Sequence, residues 1–131
     1  MLQGFQRIVL ATGHLSFQLE NHVKQRNDAE YIISREPEPL GTAGAIKYAE
    51  NTFRSDHVLV LNGDSRIIFD FHSLFEFHKH QQADMSILLS SSTKGNDYGN
   101  VKINDDNRIT VFSEKPEKSE SYSELSLINA G

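Results

Sequence analysis

Two short stretches of the sequence carry residue types and spacings that could do chemistry. Asn62-Gly63-Asp64 follows the apolar run His57-Val58-Leu59-Val60-Leu61. A carboxylate at the end of a buried strand, beside a glycine that frees the backbone, is a natural ligand for a hard divalent cation and its phosphate oxygens. Asn-Gly-Asp is also favourable turn chemistry. Its position at the carboxyl end of a central strand, where open α/β sheets place their ligands, favours the working role. The second stretch, Leu40-Gly41-Thr42-Ala43-Gly44-Ala45, is a small-residue turn that opens a helix. Glycine admits close backbone approach, and a helix N-terminus offers unpaired N–H groups to an acceptor. On spacing alone, a helix start with small residues chosen for tight packing is the stronger reading.

Other reactive residue types form no site. His72, His78 and His80 fall on one predicted helix, but residues two apart do not share a helix face, so His78 and His80 cannot hold one metal. Ser90-Ser91-Ser92-Thr93 lacks the glycines of a nucleophile elbow and reads as a loop.

The elements that must position these residues follow from hydrophobic period. Arg7 to Thr12 is a β-branched apolar run ending at Gly13, a strand entering a turn. From His14 to Arg26, Leu15, Leu19 and Val23 recur on one face, predicting a helix with Glu20, Lys24 and Arg26 toward water. Ala29 to Ser34 reads as a second strand, and the prolines at 37 and 39 force 35–41 to be a loop. Thr42 to Phe53 is predicted helical with Ala45, Ile46, Ala49 and Phe53 inward, and His57 to Leu61 is predicted to be a central strand. A third helix is expected over Phe71 to Gln82, with Phe71, Leu74, Phe75 and His78 on one stripe. Met85 to Leu89 reads as another strand, and Val101 to Val111 as a hairpin turning at Asp105-Asp106-Asn107. The order βαβαβαβ plus a hairpin implies an α/β fold with a mostly parallel sheet.

Composition bounds the partners. The 131 residues amount to one domain, and 13 basic against 18 acidic side chains give a net charge of −5. That balance argues against gripping a nucleic-acid polymer, which draws on clustered cations. A phosphorylated small molecule bridged by a divalent cation remains compatible with it. With no cysteine there is no disulfide, thiolate zinc site or thiol nucleophile, which fits a cytoplasmic setting. No signal peptide is read at Met1 to Arg7, and no apolar run approaches the ~20 residues of a membrane span.

Taken in order, the motifs resemble those of the sugar-phosphate nucleotidyltransferases, which join a nucleoside triphosphate to a sugar 1-phosphate. Glu38-Pro39-Leu40-Gly41-Thr42-Ala43-Gly44-Ala45-Ile46 is similar to the family's base-recognition loop and helix. Val60-Leu61-Asn62-Gly63-Asp64-Ser65 is similar to its metal-binding strand end. Tyr98-Gly99-Asn100-Val101, Arg108-Ile109 and Phe112-Ser113-Glu114-Lys115-Pro116 resemble its sugar-phosphate segment, and Ile128-Asn129-Ala130-Gly131 the strand that follows. The resemblance implies a Rossmann-like, GT-A-type three-layer sandwich with a mostly parallel central sheet and an antiparallel hairpin. It also implies roles. Leu40, Gly41, Thr42, Gly44, Asn62 and Gly63 would contact the nucleotide, and Asp64 would hold Mg²⁺. Gly99, Glu114, Lys115 and Asn129 would bind the sugar phosphate, with Lys115 and Asp64 carrying the catalytic charge. The wording of the loop is most like guanylyl-transferring members acting on mannose or heptose 1-phosphate.

Departures from the family pattern set further expectations. The Gly-x-Gly-Thr-Arg loop that clamps the triphosphate is absent before Leu2-Gln3-Gly4-Phe5, and no strand with a second metal aspartate follows Gly131. A partial domain with little turnover is therefore expected, with self-association through a sheet edge beside Val58 to Leu61. Two competing readings are a non-catalytic nucleotide-sugar-binding or assembly protein of the same descent, and a metal-dependent glycosyltransferase. The latter favours an Asp-x-Asp pair where Asn62-Gly63-Asp64 has one carboxylate.

Overall fold

The computed structural model describes residues 4–92, 100–113 and 126–129. The chain divides into two compact units, Met1–Val60 and Leu61–Gly131.

In the first unit, strands β1 (Arg7–Thr12) and β2 (Glu30–Arg35) pair in parallel, with Ile8 opposite Tyr31, Val9 opposite Ile32 and Leu10 opposite Ile33. Parallel strands need a crossover, supplied here by helix α1 (Ser16–Val23). Helix α2 (Gly41–Ala49) follows β2 and tightens into a 3₁₀ turn, Glu50–Thr52. Ala49 is buried, with Ala45 and Ile46 half-buried beside it, which is the inward face the periodicity predicts. Arg7 fastens the far end of this helix: its Nε and Nη2 donate to the Thr52 carbonyl at 3.3 and 3.1 Å. Arg7 also pairs with Glu30, its partner in the strand register.

Helix α1 is shorter than expected and is turned from the expected face, although Val23 is half-buried as predicted. Its buried residue is Ser16, while Leu15 and Leu19, the expected core side chains, are about half exposed. Glu20, expected in water, is half-buried because Arg35 at the end of β2 donates to it at 2.6 Å and neutralises it.

The second unit holds helix α3 (Phe71–His80) and strands β3 (Leu89–Ser92), β4 (Asn100–Ile103), β5 (Ile109–Ser113) and β6 (Ser126–Asn129). The α3 stripe is as predicted, with Phe71, Leu74, Phe75 and His78 half-buried. Asp70 caps it by accepting the His72 N–H at 3.0 Å. The four strands form an antiparallel sheet in the order β3-β6-β4-β5, with Val101 buried in it. The hairpin turns where expected: the Asn104 side-chain oxygen accepts from the N–H groups of Asp106 and Arg108 at 3.1 and 2.8 Å, and Asn107 takes φ 60°.

Three expectations about strands are corrected. Residues 57–61 and 85–88 belong to no strand, so among the described residues the parallel sheet has two strands rather than four. An extended apolar run becomes a strand only when a neighbour takes its backbone groups, and β1 and β2 pair with each other. Conversely Ser90–Ser92, expected to be a loop, is strand, because β6 pairs with it residue by residue from Leu89↔Asn129 to Ser92↔Ser126. Among the described residues, no helix is long and apolar enough to cross a membrane.

Candidate functional site

Both parallel strands of the first unit end at the same edge, β1 at Thr12 and β2 at Arg35, and α2 begins six residues after β2. A cleft of about 610 Å³ opens there, lined by Gly13 and His14 after β1, by residues 36–39 after β2, and by Gly41 and Thr42 in the first turn of α2. This is the carboxyl edge of parallel strands, where α/β proteins bind their ligands.

The local sequence explains the shape of this loop. Pro37 and Pro39 have no N–H to give, so neither can donate a bond that would fasten the loop. Glu36 holds it at both ends: its backbone N–H donates to the Thr12 carbonyl at 2.8 Å, and its carboxylate accepts the Leu40 N–H at 2.9 Å. Leu40 occupies the N-cap position of α2, and no side chain caps the helix from there. Gly41 has φ +69°, a conformation that costs a residue with a Cβ about 1–2 kcal/mol. Gly44 has a different reason to be glycine. A Cβ on it would stand 2.7 Å from the Leu40 Cβ, so the Leu40 side chain lies directly against the helix at this point.

The electrostatics of the cleft are acidic. Glu36 and Glu38 line it, and no lysine or arginine is among its described lining residues. The Thr12 hydroxyl, at the end of β1, is buried without a partner among the described residues.

The predicted site residues divide as follows. Gly41 and Thr42 line the cleft, and Gly44 and Leu40 pack on each other at its helix. The Leu40 N–H is already committed to Glu36, so it does not serve a ligand in this conformation. Asn62, Gly63 and Asp64 belong to the second unit and lie exposed in an irregular segment, not at the end of a strand. The Asp64 carboxylate accepts from the Ser65 hydroxyl at 3.3 Å. Among the described residues no three metal-ligating side chains cluster, so Asp64 offers one carboxylate. One carboxylate plus substrate phosphates is a donor set that Mg²⁺ accepts. Asn129 is exposed on β6, opposite Leu89. Gly99, Glu114 and Lys115 lie outside the described residues. Sequence reasoning missed His14 and Glu36; the signal that finds them is their place directly after the two parallel strands. A second cleft, about 550 Å³ between the end of α3 and the hairpin turn, is lined by none of the predicted site residues.

Comparison with known proteins gives the lineage. The family model described as nucleotidyl transferase matches residues 1–131, the whole chain. The chain belongs to the nucleotidyl transferase family. Over 119 residues it is 35% identical to D-glycero-alpha-D-manno-heptose 1-phosphate guanylyltransferase of Aneurinibacillus thermoaerophilus, covering 90% of this chain and 51% of that protein. Over 133 residues it is 32% identical to the mannose-1-phosphate guanylyltransferase catalytic subunit beta of Drosophila pseudoobscura pseudoobscura, covering 98% of this chain and 35% of that one. The chain thus spans about half the length of the first of these relatives and about a third of the second. The crystal structure of HddC from Yersinia pseudotuberculosis superposes with a TM-score of 0.83 at 27% identity, covering 98% of this chain and 55% of HddC. The same protein complexed with GMP-PN gives 0.81. The α/β nucleotidyltransferase fold implied by the sequence is therefore the fold of this family member.

Proposed function

We propose that this chain takes part in nucleotidyl transfer from GTP to a sugar 1-phosphate of the mannose or heptose type, giving a nucleotide sugar and pyrophosphate. The observation that carries the base is the chemistry of the cleft. Two carboxylates, with no lysine or arginine among the described lining residues, disfavour a triphosphate but accept N–H donors. Guanine presents two adjacent donors, its N1–H and 2-amino group, where adenine presents one donor beside an acceptor. The names of the relatives, guanylyltransferases for heptose and mannose 1-phosphates, and the GMP-PN complex of HddC support the same base.

In this reading Gly41 and Thr42, with Leu40 and Gly44 holding their turn, receive the base, and Asn62 and Gly63 contribute to the nucleotide site. An oxygen of the sugar phosphate attacks the α-phosphorus, the bond to the β-phosphate oxygen breaks, and pyrophosphate leaves with the electron pair. Asp64 would hold Mg²⁺, which supplies positive charge to the phosphates. Lys115 would neutralise the sugar phosphate, and Gly99, Glu114 and Asn129 would orient the sugar. Charge grows on phosphate oxygens during transfer, so fixed cations there lower the barrier. The setting proposed is the cytoplasm, with no nucleic-acid or membrane partner. Self-association belongs to the same reading, because Val58, Val60 and Leu61 are 44–56% exposed in an apolar run that joins no strand among the described residues.

Calorimetric titration with GTP, UTP, dTTP and ATP in Mg²⁺ tests the base, and equal affinities would overturn it. Pyrophosphate release with a panel of sugar 1-phosphates tests the transfer. Binding of GDP-mannose with no release under any condition would instead favour a non-catalytic nucleotide-sugar-binding protein.

A further inference from the structure

The cleft of about 550 Å³ in the second unit has the size of a small-molecule site. Phe77, Met85, Ile103 and Ile109 give it an apolar wall that is left open to solvent, Met85 being 75% exposed. Two turns carry charge to it, and hydrogen bonds fix both. After α3 the chain reverses through Gln82 at φ 48°, with the Gln82 and Ala83 N–H groups donating to the Lys79 and His78 carbonyls at 3.1 and 3.3 Å, and Asp84 follows. On the other side the Asn104 side chain holds the hairpin turn that carries Asp106 and Arg108. Asp84, Asp106 and Arg108 are the charged residues of the described lining. Among the described residues no ion pair or hydrogen bond engages their side chains.

These features together select a ligand chemistry. A guanidinium is a donor fork matched to a carboxylate, and a carboxylate accepts from an ammonium group. A simple anion would gain the arginine and meet two carboxylates, and a simple cation would do the reverse. Either would leave the apolar wall in water. A molecule that carries both charges on an apolar body satisfies all of it. We propose that this cleft binds a free α-amino acid with a large apolar side chain, its carboxylate on Arg108, its ammonium group on Asp84 and Asp106, and its side chain against Phe77 and Met85. Because both turns are already fastened, little order remains to be imposed when the ligand arrives. The site stands apart from the nucleotide reading, since none of the residues given to nucleotide or sugar phosphate lines it.

Calorimetric titration of the full chain with L-phenylalanine, its methyl ester, N-acetyl-L-phenylalanine and glycine tests this. The amino acid should bind saturably. The ester, which lacks the carboxylate, and the acetyl derivative, which lacks the ammonium group, should each bind about tenfold more weakly, the size of one lost charge-assisted hydrogen bond. Glycine, with no side chain for the wall, should bind more weakly than phenylalanine. The preferences should then vanish one at a time: Arg108→Met should bind amino acid and ester alike, and Asp84→Asn/Asp106→Asn should bind amino acid and acetyl derivative alike. The three side chains are exposed, so melting temperatures should hold in both variants. Each comparison is made within one protein, which separates a lost contact from a lost fold. No saturable binding of phenylalanine to the wild type would overturn the site. An ester or glycine equal to phenylalanine, or wild-type preferences kept in the variants, would overturn the assignment of its groups.

Discussion

Gly44 lies beneath the side chain of Leu40 so closely that a Cβ added to it would stand 2.7 Å from the Leu40 Cβ. Alanine normally stabilises a helix interior by up to about 1 kcal/mol relative to glycine. Here the sign reverses, because the leucine must move and the turn that it closes moves with it. We expect Gly44→Ala to cost about 1–3 kcal/mol, the usual range for overpacking. Removing the leucine Cβ in Leu40→Gly/Gly44→Ala should recover part of the loss relative to Leu40→Gly alone. Urea denaturation of the four proteins measures this, and a stabilised Gly44→Ala would show that the contact is slack.

Gly41 fails a substitution for another reason. Its φ of +69° carries the chain from the proline loop into α2, and a Cβ there has open space around it. The penalty is therefore backbone strain, about 1–2 kcal/mol for alanine and less for asparagine, which tolerates the left-handed region. The predicted order of stability is Gly, Asn, Ala, read as midpoints of thermal unfolding. GTP affinity should follow the same order if the strain relaxes by shifting the loop.

The dependence on acid follows from three exposed carboxylates. Asp28 is held at about 2 by the hydrogen bond from Arg26, against an ordinary value of 3.8. The Arg7 hydrogen bond lowers Glu30, and the Ser73 hydroxyl, donating to Asp70 at 2.6 Å, lowers that carboxyl. Each is more acidic folded than unfolded, so each favours the folded state while ionised. Their stabilisation is complete above the ordinary carboxylate range and is lost as pH falls through it, for Asp28 between 3.8 and about 2. Melting temperature should fall between pH 5 and pH 2, and Asp70→Asn should flatten part of that slope. An unchanged slope would mean that the cap does not hold in solution.

What was legible in the sequence was local. The α3 stripe of Phe71, Leu74, Phe75 and His78, the inward Ala45, Ile46 and Ala49 of α2, and the turn after Ile103 depend on neighbours within a few residues. Facing and pairing were not local. Ser16 is buried and Leu19 exposed on a helix whose Glu20 pairs with Arg35, fifteen residues away, a contact no local periodicity marks. Ser90 to Ser92 is a strand because β6 pairs with it. The loop from Glu38 to Gly44 was legible as a motif, but its fastening was not, since no periodicity marks Glu36 as the acceptor for Leu40.

The far end of α2 gives the last prediction. Arg7 donates from two nitrogens to the Thr52 carbonyl and pairs with Glu30, so one side chain ties the 3₁₀ turn to both strands. The fork needs the planar guanidinium. A lysine keeps the charge but supplies only a point donor. We expect Arg7→Met to cost about 1 kcal/mol, the net worth of such bonds, with Arg7→Lys intermediate. Glu30→Gln should cost less, because its side chain is 48% exposed and its second cation, Arg54, lies 3.7 Å away in solvent. A shift in urea midpoint at constant slope measures each, since the slope reports surface exposed on unfolding. If Arg7→Met and Glu30→Gln proved equal, the ion pair rather than the carbonyl fork would be the tie.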